Sequence, residues 1–144
     1  VQHLESDVGD FVLRRADGLF AYQLAVVVDD DFQGILQVVR GADLLASTPR
    51  QIWLQQCLGF ASPGYAHLPV ATNAEGEKLS KQTLARALAS DSAAAELVRA
   101  LGFLGQAVPA DLGRATVAEV WGWARENWSF AAIPRLPAII IPQA

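Results

Sequence analysis

Two lysines and a serine lie together in the segment NAEGEKLSKQ, residues 73–82. Lys78 and Lys81 are the two lysines of a chain that otherwise carries nine arginines, and Ser80 lies between them. A lysine ammonium is a compact charge with three rotating donors, whereas the guanidinium of arginine fixes a planar fork. A site that must follow a phosphate group as it moves during a reaction therefore favours lysine. The segment predicts a phosphate-binding loop; the plainer alternative is a surface turn with solvated charges.

The segments before this loop predict alternating strands and helices. ILQVVRG (35–41) and YAHLPVAT (65–72) have the composition of short strands. The segment at 19–34, LFAYQLAVVVDDDFQG, fits either a strand or a helix, because its β-branched run favours one and its length the other. A further short strand is predicted from Phe11 to Arg15, ended by an Asp-Gly turn.

The segment STPRQIWLQQCLGF (47–60) carries clear signals of a helix. Ser47 or Thr48 is the expected N-cap, Pro49 falls in the first turn and Gly59 marks the end. The pairs that repeat at four-residue spacing along its predicted apolar face are Trp53 with Cys57 and Leu54 with Leu58. Cys57 is accordingly expected to be a buried, inert thiol.

Beyond residue 82 the sequence predicts two helices in a small helical part. The first is capped near Asp91 or Ser92; the second begins after Thr116, with Glu119 at the capping-box position. The residues predicted to form the core face of the second helix, rather than a platform for stacking bases, are Val117, Val120, Trp121, Ala124 and Trp128. The boundary between the α/β part and the helical part is expected near residue 88.

Alternating strands and helices over residues 11–82 predict a mostly parallel sheet covered by helices. Ligands of such sheets bind at the carboxyl ends of the strands. Arg40 falls at one such end and the lysine loop follows another, so both are candidate site residues. Arg14 and Arg15 stay ambiguous: one could face the cleft, or both could be surface charges.

Other polar residues and the bulk composition restrict the possible functions. A net charge of −4 argues against a general nucleic-acid or membrane-surface binder, and 52% apolar residues are ample for a buried core. The triple Asp at 29–31 is read as a solvated helix end rather than a metal site, because adjacent side chains point in different directions. His67 is read as a hydrogen-bonded packing histidine, with a nucleotide contact as the alternative.

The segment GEKLSKQ resembles the KMSKS-type signature of class I aminoacyl-tRNA synthetases. Over residues 7–82, three longer segments resemble, in the same order and spacing, the second half of the glutamyl-tRNA synthetase catalytic domain: DGLFAYQLAVVVDD, GILQVVRGADLLASTPRQIWL and HLPVATNAEGEKLSK. The resemblance implies the C-terminal half of a Rossmann-type parallel sheet, followed by a small α-helical region. Its implied parts are the tail of an acceptor-binding insertion at 1–10, half of the catalytic domain at 11–88, and a helical subdomain at 89–144.

The resemblance also implies roles for individual residues. Tyr22 matches a tyrosine that contacts bound glutamate, and Arg40 matches an arginine that recognises a glutamate carboxylate. Lys81 matches the second lysine of the signature, which binds ATP phosphate and acts in catalysis. Lys78, to which the resemblance also gives a catalytic role, and Ser80 belong to the same ATP-binding loop.

Among such synthetases, the chain is most similar to short paralogues that lack an anticodon-binding domain and attach glutamate to queuosine in tRNA(Asp). Gln82 after the loop and the short helical tail favour this group over a standard glutamyl-tRNA synthetase. The implied substrates are glutamate, ATP with Mg²⁺, and tRNA(Asp), and zinc is expected only in an N-terminal half that has no counterpart here. The protein is expected to be a cytoplasmic monomer that does not bind membranes, and this half alone is expected to be inactive. The alternatives are part of a standard glutamyl-tRNA synthetase and a non-catalytic half-fold that binds tRNA or a partner.

Overall fold

The computed structural model describes residues 3–80 and 92–141. The chain divides into two compact units, Val1–His67 and Leu68–Ala144, and each is described by itself. Lys81 and the boundary predicted near residue 88 lie outside the described residues. Within the described part of the chain, no helix has both the length and the apolar character needed to cross a membrane.

The first unit contains two helices and two strands. In chain order they are α1 (Tyr22–Phe32), β1 (Gln37–Gly41), α2 (Thr48–Leu58) and β2 (Gly64–Leu68), with a π-helical turn at Leu4–Val8 and a 3-10 helix at Ala42–Ser47. The two strands form one sheet, and α1 packs against α2. The ambiguous segment at 19–34 is thus helical.

The strands β1 and β2 run in the same direction. Where they start, the Gly64 amide donates to the Leu36 carbonyl over 2.9 Å. Near their carboxyl ends, the Arg40 side chain contacts that of His67. The α/β class predicted from the sequence is confirmed, and Arg40 lies at the end of its strand where the prediction placed it.

The strand predicted from Phe11 to Arg15 is wrong. Arg14 forms a single antiparallel bridge with Phe20, and the amide of Ala21 donates to the carbonyl of Leu13 over 2.8 Å. The Asp-Gly turn reverses the chain so soon after Arg14 that the segment pairs with its own continuation.

The predicted apolar face of α2 is confirmed at Leu54 and wrong at Trp53, Cys57 and Leu58. Its buried residues are Thr48, Gln51, Leu54 and Gln55, whereas Trp53 is 49% exposed and the Cys57 thiol is exposed. The two glutamines can be buried because each finds a hydrogen-bond partner on a neighbouring element. The termini of α2 are confirmed: Ser47 is the N-cap residue, and Gly59 ends the helix with φ +73°.

The second unit contains two helices and two strands in its described residues. These are β3 (Val70–Thr72), α3 (Ala93–Phe103), α4 (Val117–Asn127) and β4 (Ala138–Ile140), with 3-10 helices at Ala110–Arg114 and Phe130–Ala132. β3 and β4 are parallel, with Val70 opposite Ala138 and Thr72 opposite Ile140. Both predicted helices are present, but β4 was not predicted: the apolar end of the chain forms a strand beside the one that leads into the lysine loop.

The core of the second unit lies between α3 and α4. Its buried residues are Leu101, Val120 and Ala124, and Trp123 and Trp128 pack against them. The core face predicted for α4 is therefore right at three positions and wrong at Val117 and Trp121, which are 40% and 52% exposed. The predicted capping box is confirmed, since Thr116 and Glu119 each accept a backbone N–H of the other, over 3.3 and 2.7 Å.

Candidate functional site

Arg40 is held in place by two side chains from neighbouring elements. Its Nε–H donates to Nε2 of His67 on β2 over 3.3 Å, and its Nη2 donates to Oγ1 of Thr48 at the start of α2 over 2.8 Å. The two acceptors also contact each other, with Oγ1 and Nε2 3.0 Å apart. The half-buried guanidinium is thus fixed by a triangle of hydrogen bonds.

The direction of these bonds identifies the form of His67. The Nε–H of arginine can only donate, so Nε2 of His67 must be an acceptor, and the ring must carry its proton on Nδ1. The Thr48 hydroxyl accepts from Arg40 and can give its own hydrogen to the same ring nitrogen. Burial first and the neighbouring charge of Arg40 second lower the pKa of His67, which favours this neutral form.

An aromatic ring lies beside the guanidinium. The Cζ of Arg40 is 5.2 Å from the centroid of the Tyr65 ring, a cation–π distance. Tyr65 is itself fixed, because its hydroxyl accepts a hydrogen bond of 3.0 Å from Nε2 of Gln55 on α2. Arg40 is therefore constrained by three residues, two of them from the strand next to its own.

This arrangement leaves part of the guanidinium for a ligand. Arginine has five N–H donors. His67 and Thr48 each accept a hydrogen bond from one of these donors, on the edge formed by Nε and Nη2. Within residues 3–80 and 92–141, these two are the hydrogen-bond acceptors of the Arg40 side chain. The remaining edge, formed by Nη1 and Nη2, has the fork geometry that pairs with a carboxylate through two parallel bonds.

A second polar network links the start of α1 to the start of α2. Nε2 of Gln51, whose side chain is 1% exposed, donates to Oε1 of Gln23 over 2.9 Å, and Nε2 of Gln23 donates to the Ser47 hydroxyl over 3.0 Å. Tyr22 precedes Gln23 and is 51% exposed. Since Ser47 and Thr48 are adjacent, the first turn of α2 is held by the residue after Tyr22 on one side and by Arg40 on the other.

The lysine loop begins as a tight hairpin in the second unit. Thr72 and Lys78 form an antiparallel bridge, and the Leu79 amide donates to the carbonyl of Ala71 over 2.9 Å. Asn73 closes the turn, because its Oδ1 accepts the Glu77 amide over 2.8 Å and its Nδ2 donates to the Glu77 carboxylate over 3.0 Å.

The hairpin fixes the backbone at the first lysine. Gly76 supplies the positive φ of +82° that the turn requires. Lys78 is exposed and Ser80 is half-buried. Lys78 and Arg40 belong to different units, so the expectation that both lie at one ligand site at the carboxyl ends of the strands stays a prediction, and Lys81 lies outside the described residues.

The other charged candidates have local roles. Arg15 pairs with Asp17 over 2.7 Å, and Nε of Arg14 donates to the carbonyl of Gly18 over 3.1 Å, so both serve the turn that follows them. The Asp residues at 29–31 form the last turn of α1. Within the described ranges, no three His, Cys, Asp or Glu side chains are grouped to hold a metal ion.

A small cavity in the first unit is separate from Arg40. It has a volume of about 80 Å³ and lies between the end of α1, the segment before β1 and Gln55. The Oε1 of Gln55 is buried and has no hydrogen-bond partner in the described part of the chain. Neither Arg40 nor Tyr22 lines this cavity.

Sequence reasoning missed two members of the Arg40 site. Thr48 was considered only as a helix cap, and Tyr65 was considered only as part of a strand. Tyr65 and His67 are two residues apart on one strand and therefore share a face, which places both rings on the side of Arg40. The two-residue spacing predicts that both rings lie near Arg40 if β1 and β2 are neighbouring strands. His67 has the hydrogen-bonded packing role that was preferred for it.

The α/β fold of the chain is compatible with the class I tRNA synthetases, and a comparison with family models identifies that class. The family model described as "tRNA synthetases class I (E and Q), catalytic domain" matches residues 1–119, and the chain belongs to this family.

Among curated proteins, the chain is 72% identical over 141 residues to the glutamyl-Q tRNA(Asp) synthetase of Dechloromonas aromatica (strain RCB), covering 98% of this chain and 47% of that protein. It is 58% identical to the protein of the same name from Chromobacterium violaceum, covering 94% of this chain and 45% of the relative. The chain thus spans about half the length of the curated relatives it matches.

Among solved structures, the glutamate-tRNA synthetase of Elizabethkingia anophelis matches 92% of this chain and 30% of its own, with a TM-score of 0.64 and 22% identity. A glutamate tRNA ligase from Elizabethkingia meningosepticum gives the same TM-score at 23% identity, over 91% of this chain and 30% of its own. At this identity the likeness establishes the fold alone, which agrees with the class I synthetase domain predicted from the sequence.

Proposed function

We propose that this chain is the glutamate- and ATP-phosphate-binding part of a tRNA-modifying ligase. The full-length protein carrying it would activate glutamate with ATP to glutamyl-adenylate and transfer the glutamyl group to queuosine in tRNA(Asp). The names of the two relatives cited above, at 72% and 58% identity, support this choice of acceptor.

The observation that carries the proposal is the preorganised guanidinium of Arg40. A glutamate carboxylate would bind its free Nη1–Nη2 edge as a bidentate pair, and Tyr22 would contact the same amino acid. A charge-assisted pair of this kind is worth roughly 1.5–3 kcal/mol. Because His67 and Thr48 hold the guanidinium before the ligand arrives, less of this free energy is lost in ordering the side chain.

The lysine hairpin would bind the phosphates of ATP. In the activation step, a carboxylate oxygen of glutamate attacks the α-phosphorus, the bond to the β-phosphate breaks and pyrophosphate leaves with its electrons. Lys81 and Lys78 would stabilise the charge that develops on the leaving phosphates, and Ser80 would shape the loop and donate a hydrogen bond. A hydroxyl of the tRNA nucleoside then displaces AMP, so no covalent intermediate with the protein is needed.

The remaining substrates and partners follow from the same proposal. ATP would enter with Mg²⁺, and zinc would belong to residues outside this chain. The segment at 1–10 would be the end of an acceptor-binding insertion, residues 11–88 half of the catalytic domain, and 89–144 a subdomain that contacts the tRNA stem. The full-length protein would act as a cytoplasmic monomer.

Transfer of labelled glutamate tests the proposal. The full-length protein is given tRNA(Asp) and tRNA(Glu), each with and without queuosine where the anticodon permits it, and the product is digested with nuclease to identify whether the labelled nucleoside comes from the acceptor end or from the anticodon. The expected product is glutamate on queuosine-containing tRNA(Asp). Glutamate on the acceptor end of tRNA(Glu) would instead identify a standard glutamyl-tRNA synthetase, and binding of tRNA without glutamate activation would identify a non-catalytic module.

A further inference from the structure

We propose that His67 and Thr48 are positioning residues that aim the free edge of Arg40 at glutamate, and that His67 does so as a neutral acceptor. The inference rests on the proposed function, because it concerns how the same arginine meets its carboxylate. Neither residue needs to touch glutamate for this role.

The geometry of the triangle supports an orienting role. Nε and Nη2 lie on one edge of the planar guanidinium, and their acceptors are 3.3 and 2.8 Å away. Since these acceptors come from β2 and α2, they restrict rotation about the last torsions of the Arg40 side chain from two directions. With this edge occupied, only the edge formed by Nη1 and Nη2 presents two parallel N–H groups to a carboxylate.

The chemistry of His67 makes this support dependent on its protonation state. If Nε2 gained a proton, an N–H group would face the N–H of Arg40 at the 3.3 Å contact, and two cations would lie side by side. The groups that face the ring are Arg40 from β1, Thr48 from α2 and Tyr65 from the same strand, and of these Arg40 alone is charged near neutral pH. Acid should therefore release Arg40 from its preorganised position.

The sign of the pH effect follows from the direction of the pKa shift. Burial and Arg40 hold the pKa of His67 below its ordinary value of 6.5. The neutral form, and with it the support of Arg40, predominates above pH 6.5 and is lost as the pH falls through the lower folded value. The KM for glutamate should rise over that acidic range while the KM for ATP changes little.

Two substitutions of His67 in the full-length protein test the inference by glutamate-dependent ATP–pyrophosphate exchange between pH 5 and 8. His67→Leu removes the acceptor and should raise the KM for glutamate about 3- to 10-fold at neutral pH, the loss expected for one typical intramolecular hydrogen bond. His67→Gln restores an oxygen near the position of Nε2 that cannot be protonated. It should keep the KM near wild type and flatten its rise in acid.

Matched variants complete the experiment. Thr48→Ser keeps the hydroxyl and should behave as wild type, whereas Thr48→Val should raise the KM for glutamate in the same way as His67→Leu. His3→Gln is the control for loss of a histidine, since His3 is exposed and distant in sequence from the site. Thermal unfolding of each variant identifies any rise in the KM for glutamate that reflects misfolding.

The outcomes separate this inference from the proposed function. If folded His67→Leu and Thr48→Val both keep the wild-type KM for glutamate, or if His67→Gln retains the full rise of KM in acid, the positioning roles are refuted. If Arg40→Ala also leaves that KM unchanged, the assignment of Arg40 to glutamate fails as well. If the KM for glutamate rises in Arg40→Ala but not in His67→Leu or Thr48→Val, the proposed function stands and only the inference is refuted.

Discussion

Exchanging Arg40 for lysine removes the planar fork but keeps the positive charge. In the structure, two of the five N–H groups of Arg40 are given to His67 and Thr48, and an edge with two parallel N–H groups remains. A lysine ammonium has three donors, so after meeting the same two acceptors it would have one left. A bidentate pair with glutamate would become a single bond.

The size of the effect follows from this difference. Loss of one of the two charge-assisted hydrogen bonds costs roughly 1.5–3 kcal/mol, which corresponds to about a tenfold to hundredfold rise in the KM for glutamate. The fold should survive, because the Thr48 hydroxyl and Nε2 of His67 are 3.0 Å apart and can still bond to each other. The KM for ATP should change by much less than the KM for glutamate.

The assay is ATP–pyrophosphate exchange by the full-length protein, with glutamate and ATP each varied while the other is saturating. Arg50→Lys is the matched control. Arg50 lies on the same helix as Thr48, but it donates to the carbonyl of Ala46 over 3.0 Å and stacks on Phe11. This variant should keep both constants near wild type.

Two results would contradict the reasoning. Equal increases in the KM for glutamate and for ATP would mean that Arg40 supports the domain rather than the amino acid. An unchanged KM for glutamate in Arg40→Lys would mean that a point charge suffices and that the orientation of the fork has no role in binding.

Three further predictions concern the lysine loop and the second unit. Lys81→Ala should lower the rate of adenylate formation by about 100- to 1,000-fold, as expected for loss of one preorganised donor to a transition state, and an unchanged exchange rate would remove it from the site. Gly105→Ala should destabilise the protein by about 1–3 kcal/mol in urea unfolding, because Gly105 has φ +74° and a Cβ there would lie 2.1 Å from the Ala132 carbonyl oxygen. Its control, Gly122→Ala in the interior of α4, meets nothing within 4 Å and should stabilise by about 0.5–1 kcal/mol; equal effects of the two would contradict the packing argument. Thr116→Ala should cost about 1 kcal/mol by removing the cap of α4. The same change should reduce the acid dependence of stability, because a backbone and then a side-chain hydrogen bond from Thr116 lower the pKa of Glu119. The contribution of Glu119 to stability is present above the ordinary pKa of 4.5 and is lost as the pH falls through the lower folded value.

Signals that depend on local chemistry were read correctly from the sequence. The end of α2 at Gly59 and the capping box of Thr116 and Glu119 are fixed by backbone geometry within a few residues. The end of β1 at Gly41, which was also predicted, is likewise indicated by a local signal in the sequence. Such features need no knowledge of what lies across the fold.

The faces of the helices were harder to predict, because they depend on distant partners. Trp121 was placed in the core by its spacing from Val117, yet α3 packs against the neighbouring side of α4, and Trp123 takes the inner position. The strand β4 escaped prediction for a similar reason. Three apolar residues near a chain end carry no periodic signal, and their partner at Val70–Thr72 lies far away in sequence.

The buried face of α2 and the candidate site are connected by hydrogen bonds. A helix that buried Trp53 and Cys57 in place of Thr48 would remove the acceptor that Nη2 of Arg40 has on α2, and a half-buried polar group without a partner is costly in free energy. The helix instead turns Thr48 toward Arg40, and Gln55 toward the tyrosine that packs against that arginine. Thr48 and Gln55 lie inward on α2, and each makes a hydrogen bond to a residue across the fold, so these partners rather than the apolar spacing of the helix determine which side of α2 faces the interior.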